Sequence, residues 1–189
     1  MLEKTLMASS PLDGFQKQFT NVALAEVSGH ALVSIAVPLD SRAALEDAVT
    51  KVFGTSLPTC GNSTLSKDGS NRLLGMQPEQ VFALFDYGGN DPVGAVKALL
   101  GNAGYYTDQS DSWVMLRMSG PLATTALERI CPLDLASEVF APNRVARTVM
   151  EHLGVIVLCE SHDNYFLMSP RSSARSFLHA LETSIENVL

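Results

Sequence analysis

One order of elements is written twice along this chain. The first run reads strand (32–37), helix (41–53), one or two strands within 63–76, strand (81–86), helix (91–101). The second reads strand (113–118), helix (121–130), strands within 144–168, helix (172–188). The junctions echo one another: "VPLDSRAALED", from Val37, answers "SGPLATTALER", from Ser119, with Pro-Leu and Ala-Leu-Glu one gap apart. Parallel order over such a length points to an internal duplication. The sequence thus predicts one domain, 1–189, made of two β-α-β-β(-β)-α pseudo-repeats, about 24–104 and 105–189. Units of this kind build an α+β fold of mostly antiparallel sheets with helices packed on them.

The elements rest on periodicity. Leu45, Val49, Val52 and Phe53 line one helical face behind an Asp40 or Ser41 cap, and Val93, Val96, Leu99 and Leu100 line another between Asp91-Pro92 and Gly101. Leu122, Leu127 and Ile130 follow Pro121. Ala174, Phe177, Leu178, Leu181, Ile185 and Val188 make a long amphipathic stripe at the end. "ALVSIAV" and "WVMLRM" alternate as strands, and "RVARTVM", "GVIVLCES" and "NYFLMS" follow with turns expected at Leu153-Gly154 and His162-Asp163-Asn164.

Composition excludes several functions. A net charge of −7 with singly scattered Lys and Arg provides no basic stripe for nucleic acid. Cys60, Cys131 and Cys159 lie far apart with no zinc spacing. "MLEKTLMASS" has no apolar targeting core, and the longest apolar run is too short to cross a bilayer, so a cytoplasmic protein with reduced thiols and no membrane contact is expected. At this length roughly 70% of the unfolded surface can be buried without a staple. Mean hydropathy of +0.13 is high for a lone soluble chain, which suggests a surface hidden against a partner.

No motif supplies a self-sufficient active site. Cys131 stands at a helix C-terminus before Pro132, where the dipole raises a thiol pKa, so it reads as a buried stopper, with Asp134 turning the next segment. Cys159 reads as core. None of His30, His152, His162 and His179 lies at HxxxH spacing, and there is no GxSxG elbow. "DYGGNDP" could cradle an anion, but Asp86 and Asp91 oppose phosphate, so it reads as a turn. Asp108 and Asp111 in "TDQSD" read as solvated turn formers rather than a glycosidase pair. Arg117, among apolar neighbours, either meets a partner or lies on plain surface, and needs a carboxylate if covered. The expectation is no catalytic, cofactor-binding or metal residue in this chain. Met76, Pro78, Trp113, Arg117 and Arg171 are the candidates for a partner interface.

"RLLGMQPEQVFALFD", "TDQSDSWVMLRMSGPLATTALERICPLDL", "RVARTVM" and "LMSPRSSARSFLHALE" resemble, in this order, conserved segments of the gamma subunit of heterotetrameric sarcosine oxidase. The likeness runs from about Leu73 to the end and is strongest from Thr107 to Leu135. Before Leu73 it is poor, and Val81-Phe82 depart from the family's Trp-Leu. The resemblance implies a non-catalytic assembly subunit of a flavoenzyme complex that oxidatively demethylates sarcosine to glycine. In that family a one-carbon unit passes to tetrahydrofolate and hydrogen peroxide forms. FAD, FMN, NAD and zinc are expected on the partner alpha, beta and delta subunits and none in this chain, which alone is expected to self-associate. The implied fold is the folate-binding domain of the aminomethyltransferases, although "LSKDGSNRLLG" offers only Asp68 where that family grips the pterin with an acidic pair. The alternatives are a folate-binding one-carbon transfer protein, a subunit of a related N-methyl amino acid dehydrogenase, or a small-ligand sensor.

Overall fold

A strand that is apolar on both faces has to be covered twice, and that requirement sets the layering. In the computed structural model, which describes residues 9–39 and 41–189, the elements run β1 (Gln16–Gln18), β2 (Ala23–Glu26), β3 (His30–Ala36), α1 (Arg42–Phe53), β4 (Ser63–Leu65), β5 (Asn71–Gln77), β6 (Gln80–Asp86), α2 (Pro92–Leu100), β7 (Tyr105–Asp108), β8 (Trp113–Ser119), α3 (Ala123–Glu128), β9 (Val145–Met150), β10 (Leu153–Ser161), β11 (Asn164–Pro170) and α4 (Ala174–Glu186). Five consecutive residues, from Val155 to Cys159, are buried on β10, as are five from Tyr165 on β11. Val114, Leu116, Met118, Val155, Val157 and Leu167 pack with Leu127, Phe177, Leu181 and Ile185 of α3 and α4. Met115, Ile156, Leu158, Phe166 and Met168 meet Leu32, Leu74, Phe82 and Leu84 of a second sheet. That sheet's other face, with Val33, Ile35, Leu73 and Val81, packs with Leu45, Val49 and Phe53 of α1 and Val96 and Leu100 of α2. The result is four layers, helices–sheet–sheet–helices, with one apolar core between each pair.

All ladders are antiparallel. The six-stranded sheet runs β1-β2-β8-β11-β10-β9 and the five-stranded sheet β4-β5-β6-β3-β7. Matched in chain order, β2-β8-β11-β10-β9 has the pattern of β7-β3-β6-β5-β4. Each half therefore gives its leading strand to the other half's sheet. Ala25 sits opposite Arg117, and Tyr106 opposite Ile35. A cut at 104/105 separates the halves in sequence but not the sheets.

Several local expectations are corrected. β1, β2 and β7 go unmarked by alternation, because they are short and β1 and β7 are largely exposed. Val52 and Leu99 leave their helical stripes and stand 37% and 50% exposed, since α1 and α2 bury only a narrow face on the sheet. The third helix is shorter than 121–130, with Pro121 in the turn before it. Ser41 makes no side-chain cap, and Asp40, like residues 1–8, lies outside the described residues. Asp91 does cap α2, accepting from Gly94 N at 2.8 Å. The turn expected at Leu153-Gly154 falls instead on Glu151 and His152, with φ of 46° and 69°, the two-residue I′ geometry that suits twisted hairpins. Here the pairing of Met150 with Leu153 overrides the preference for glycine in that geometry. Among the described residues no helix is long and apolar enough to cross a membrane.

Phe166 is wholly buried between the sheets, with the Arg117 guanidinium 5.5 Å from its ring centroid. Phe166→Ala should cost about 3–5 kcal/mol, read as a fall in urea midpoint at unchanged slope.

Candidate functional site

The exchanged strands cross between the sheets at 26–31 and at 108–115, and a cavity of about 450 Å³ opens there. Glu26, His30, Asp108, Asp111, Trp113 and Arg171 line it. Glu26 ends β2 as a buried carboxylate, and the 10–14 loop wraps it. Its oxygens accept from the Ser10 hydroxyl, from Leu12 N at 3.1 Å and from Gly14 N at 2.8 Å. His30 Nε2 lies 3.3 Å from Asp86, and Arg171 Nη1 lies 3.7 Å from Asp111. The hydroxyls there, Ser10 and Ser110, donate to Glu26 and Asp108, carboxylates that also accept from backbone N–H groups. A groove of about 600 Å³ lies elsewhere, between α3, α4 and the β9–β10 turn, with Arg129, Glu151 and His179 on its walls.

A second polar group forms at the rim of the inter-sheet layer. Arg117 donates to both oxygens of Glu160, Nε to Oε2 at 2.7 Å and Nη2 to Oε1 at 3.0 Å. This bidentate bond holds the Arg117 charge firmly, raising its pKa. Arg72, across from it on β5, donates to Ser63 at 3.1 Å and Asn143 at 2.8 Å. Burial lowers its pKa, Glu160 opposes that, and Arg117 adds to it. Glu160 is thus the ion-pair partner of Arg117, whereas Arg72 is held by neutral oxygens. The carboxylate that Arg117 needs where it is covered comes from within the chain.

The other sequence candidates are distributed differently. Trp113 and Met76 are half-buried, and both pack against the inter-sheet core. The Trp113 Nε1 is buried without a hydrogen-bond partner among the described residues, and Arg147 lies 5.8 Å from its ring centroid. Arg171 also donates to the Ser9 carbonyl. Pro78 is exposed in the β5–β6 turn, where its carbonyl accepts from Arg42 at 2.8 Å. Trp113 and Arg171 share the junction cavity, whereas Pro78 and Arg117 stand apart from it.

Cys131 follows α3 with its N–H on the Leu127 carbonyl at 2.8 Å, and burial pushes its thiol pKa up. Burial does the same to Cys159, helped by Asp163 and Glu160. Asp134 turns the next segment through Ala136 N at 3.0 Å. Asp108 accepts from Ser110 N and hydroxyl at 2.9 and 2.6 Å, a closed turn. Asp68 is likewise occupied, by the hydroxyls of Ser66 and Ser70 and by Ser70 N, which lower its pKa to about 2. Among the described residues, no three His, Cys, Asp or Glu side chains gather to hold a metal ion. Sequence reasoning passed over Glu26, Arg72 and Glu160, because their partners come from distant elements.

No family model matches the sequence. Two curated relatives do: sarcosine oxidase subunit gamma from Arthrobacter sp., 25% identical over 89% of this chain and 85% of the relative, and the same subunit from Corynebacterium sp. (strain P-1), 26% identical over 92% and 87%. The fold is similar to that of a chain in the heterotetrameric sarcosine oxidase from Corynebacterium sp. U-96 in complex with pyrrole 2-carboxylate. There the TM-score is 0.74 at 23% identity, covering 88% of this chain and 84% of that one. The glycine cleavage system aminomethyltransferase T from Bartonella henselae shares it at TM-score 0.61 and 14% identity, over 85% of this chain and 45% of that one.

Exposed Cys60 should react with a thiol reagent in the native protein, and Cys131 and Cys159 only after unfolding. Labelling followed by peptide mass mapping reads this. The Asp68 carboxyl, lowered from 3.8 to about 2, contributes stability that is present above pH 4 and lost as pH falls through 2. NMR titration should find it still ionised at pH 3.

Proposed function

We propose that this chain is the gamma subunit of a heterotetrameric sarcosine oxidase, an assembly subunit without catalytic residues of its own. The observation that carries the reading is similarity to two sarcosine oxidase gamma subunits along nearly the whole of both chains, joined to the likeness in fold. In keeping with that reading, burial raises the pKa of the Cys131 and Cys159 thiols, and Glu26 and Glu160 accept from the chain's own donors. In this reading the complex oxidatively demethylates sarcosine to glycine in the cytoplasm. The alpha, beta and delta subunits carry FAD, FMN, NAD and zinc, pass a one-carbon unit to tetrahydrofolate and release hydrogen peroxide.

Within the reading the chain is one domain of two pseudo-repeats, about 24–104 and 105–189, and the matching strand orders of the two sheets support this. Met76, Pro78, Trp113, Arg117 and Arg171 remain the proposed contacts. Pro78 is the one among them that offers an exposed side chain directly, and the other four would contribute through their uncovered edges.

The likeness to an aminomethyltransferase favours a second reading, a folate-binding one-carbon carrier. One preparation separates the two. The purified chain should show no flavin absorbance near 450 nm, no turnover of sarcosine and no calorimetric response to a reduced folate, while co-expressed larger subunits of the oxidase co-purify with it. Micromolar folate binding by the lone chain would favour the carrier, and failure to associate with those subunits would remove the assembly role.

A further inference from the structure

Among the described residues the six-stranded sheet stops at β9, whose strand partner is β10. The I′ turn at Glu151 and His152 fixes the parity of that hairpin. The pair flanking such a turn, Met150 and Leu153, exchanges both hydrogen bonds, and bonded pairs then recur at every second residue. Met150, Thr148 and Ala146 thus point their main-chain groups toward β10, and Val149, Arg147 and Val145 point theirs away. Two bonds at the strand's beginning agree with this parity. Cys159 N donates to the Arg144 carbonyl at 2.9 Å, and the outward Val145 N–H donates to the Gly61 carbonyl at 3.1 Å. The 61–62 segment covers that end of the edge, through this bond and the Asn62–Arg144 bridge. Further along, the outward N–H and C=O groups of Arg147 and Val149 have no partner among the described residues.

Free sheet edges are normally kept short or guarded, because an unpaired row of donors and acceptors recruits another strand. β1 and β4 have three residues each and β7 has four, whereas β9 has six, with no proline or lysine and with Val149 52% exposed. The charge here also runs against the rest of the molecule. Arg144 donates to Asn62 at 3.1 Å and Arg147 lies by the Trp113 ring, yet neither meets a carboxylate among the described residues of a chain with net charge −7.

We propose that β9 is a docking edge, onto which an extended acidic segment of a partner subunit adds as a further strand. Main-chain bonds to Arg147 and Val149 supply the attachment, and the side chains supply the choice of sequence. Arg147 and Val149 project on the same face as Val145, which packs into the inter-sheet core. The incoming strand therefore carries Asp or Glu opposite Arg147 and, two residues along, Val, Ile or Leu opposite Val149. The inference rests on the assembly reading above, and it names where the partner is held.

The test uses the full chain co-expressed with the larger subunits of the oxidase. Val149→Pro removes an outward N–H while leaving the ladder to β10 intact, and Arg147→Glu reverses the charge. Each should lower recovery of the complex at least tenfold at an unchanged thermal midpoint. In the wild-type complex, hydrogen exchange at Arg147 and Val149 should slow at least tenfold relative to the free chain. If Val149→Pro lowers the midpoint, Arg147→Glu and the exchange measurement decide. Wild-type assembly with neither variant impaired and no protection at these amides would overturn the docking edge while sparing the assembly reading. Absence of wild-type assembly would overturn both. Sedimentation showing a dimer of the free chain that Val149→Pro dissociates would make the occupant a second copy, and would also overturn the proposal.

Discussion

The pairing of β2 with β8 and of β7 with β3 is the interaction on which the rest of this structure depends. Without it the halves would be two small sheets, each with an apolar inner face and an open edge where the exchanged strand now lies. With it, the 26–31 and 108–115 connections cross side by side and hold the inner faces together. Phe166, Met168, Ile156 and Leu158 can then bury against Leu32, Leu74, Phe82 and Leu84. The polar junction around Glu26, His30 and Arg171 lies where the chain changes sheets, so its charges serve the crossing first.

The Arg117–Glu160 pair shows the same logic on a smaller scale. A guanidinium over the ring of Phe166 covers the end of the apolar layer with its flat face, and its fork is satisfied by one carboxylate. Arg72, from the other sheet, donates to Ser63 and Asn143 instead. Such a rim closes the core without apolar residues that would otherwise face water. It also explains how an arginine can sit among apolar strand residues.

Elements that carry their own periodicity were legible in the sequence. α4 announces its stripe from Ala174 to Ile185, and β8 separates Val114, Leu116 and Met118 from Arg117 by alternation alone. What was hidden depends on long-range partners. "ALAE" has little strand character, and β2 exists because β8 offers an edge. β7 looks like turn sequence until it is laid on β3. Val52 and Leu99 follow the helical period but stand beyond the reach of the sheet. The turn moved from Leu153-Gly154 to Glu151-His152 because pairing fixed the register, and residues with side chains accepted positive φ as the cost. For the polar groups the limit is similar: Arg117 could be flagged as needing a carboxylate, but Glu160 is met only after β11 has been placed between them. Glu26 gives no local sign of burial at all.

The exchange of leading strands also shapes how the molecule must be made. During synthesis the residues of β2 emerge early, yet the strand they pair with, Trp113–Ser119, arrives only after the whole first half has been translated. The first half in turn waits for β7, so a nascent chain holds apolar sheet faces and an open edge until the ribosome has passed the midpoint. A chain truncated near residue 104 would retain the sequence of a complete half and still be unable to close either sheet.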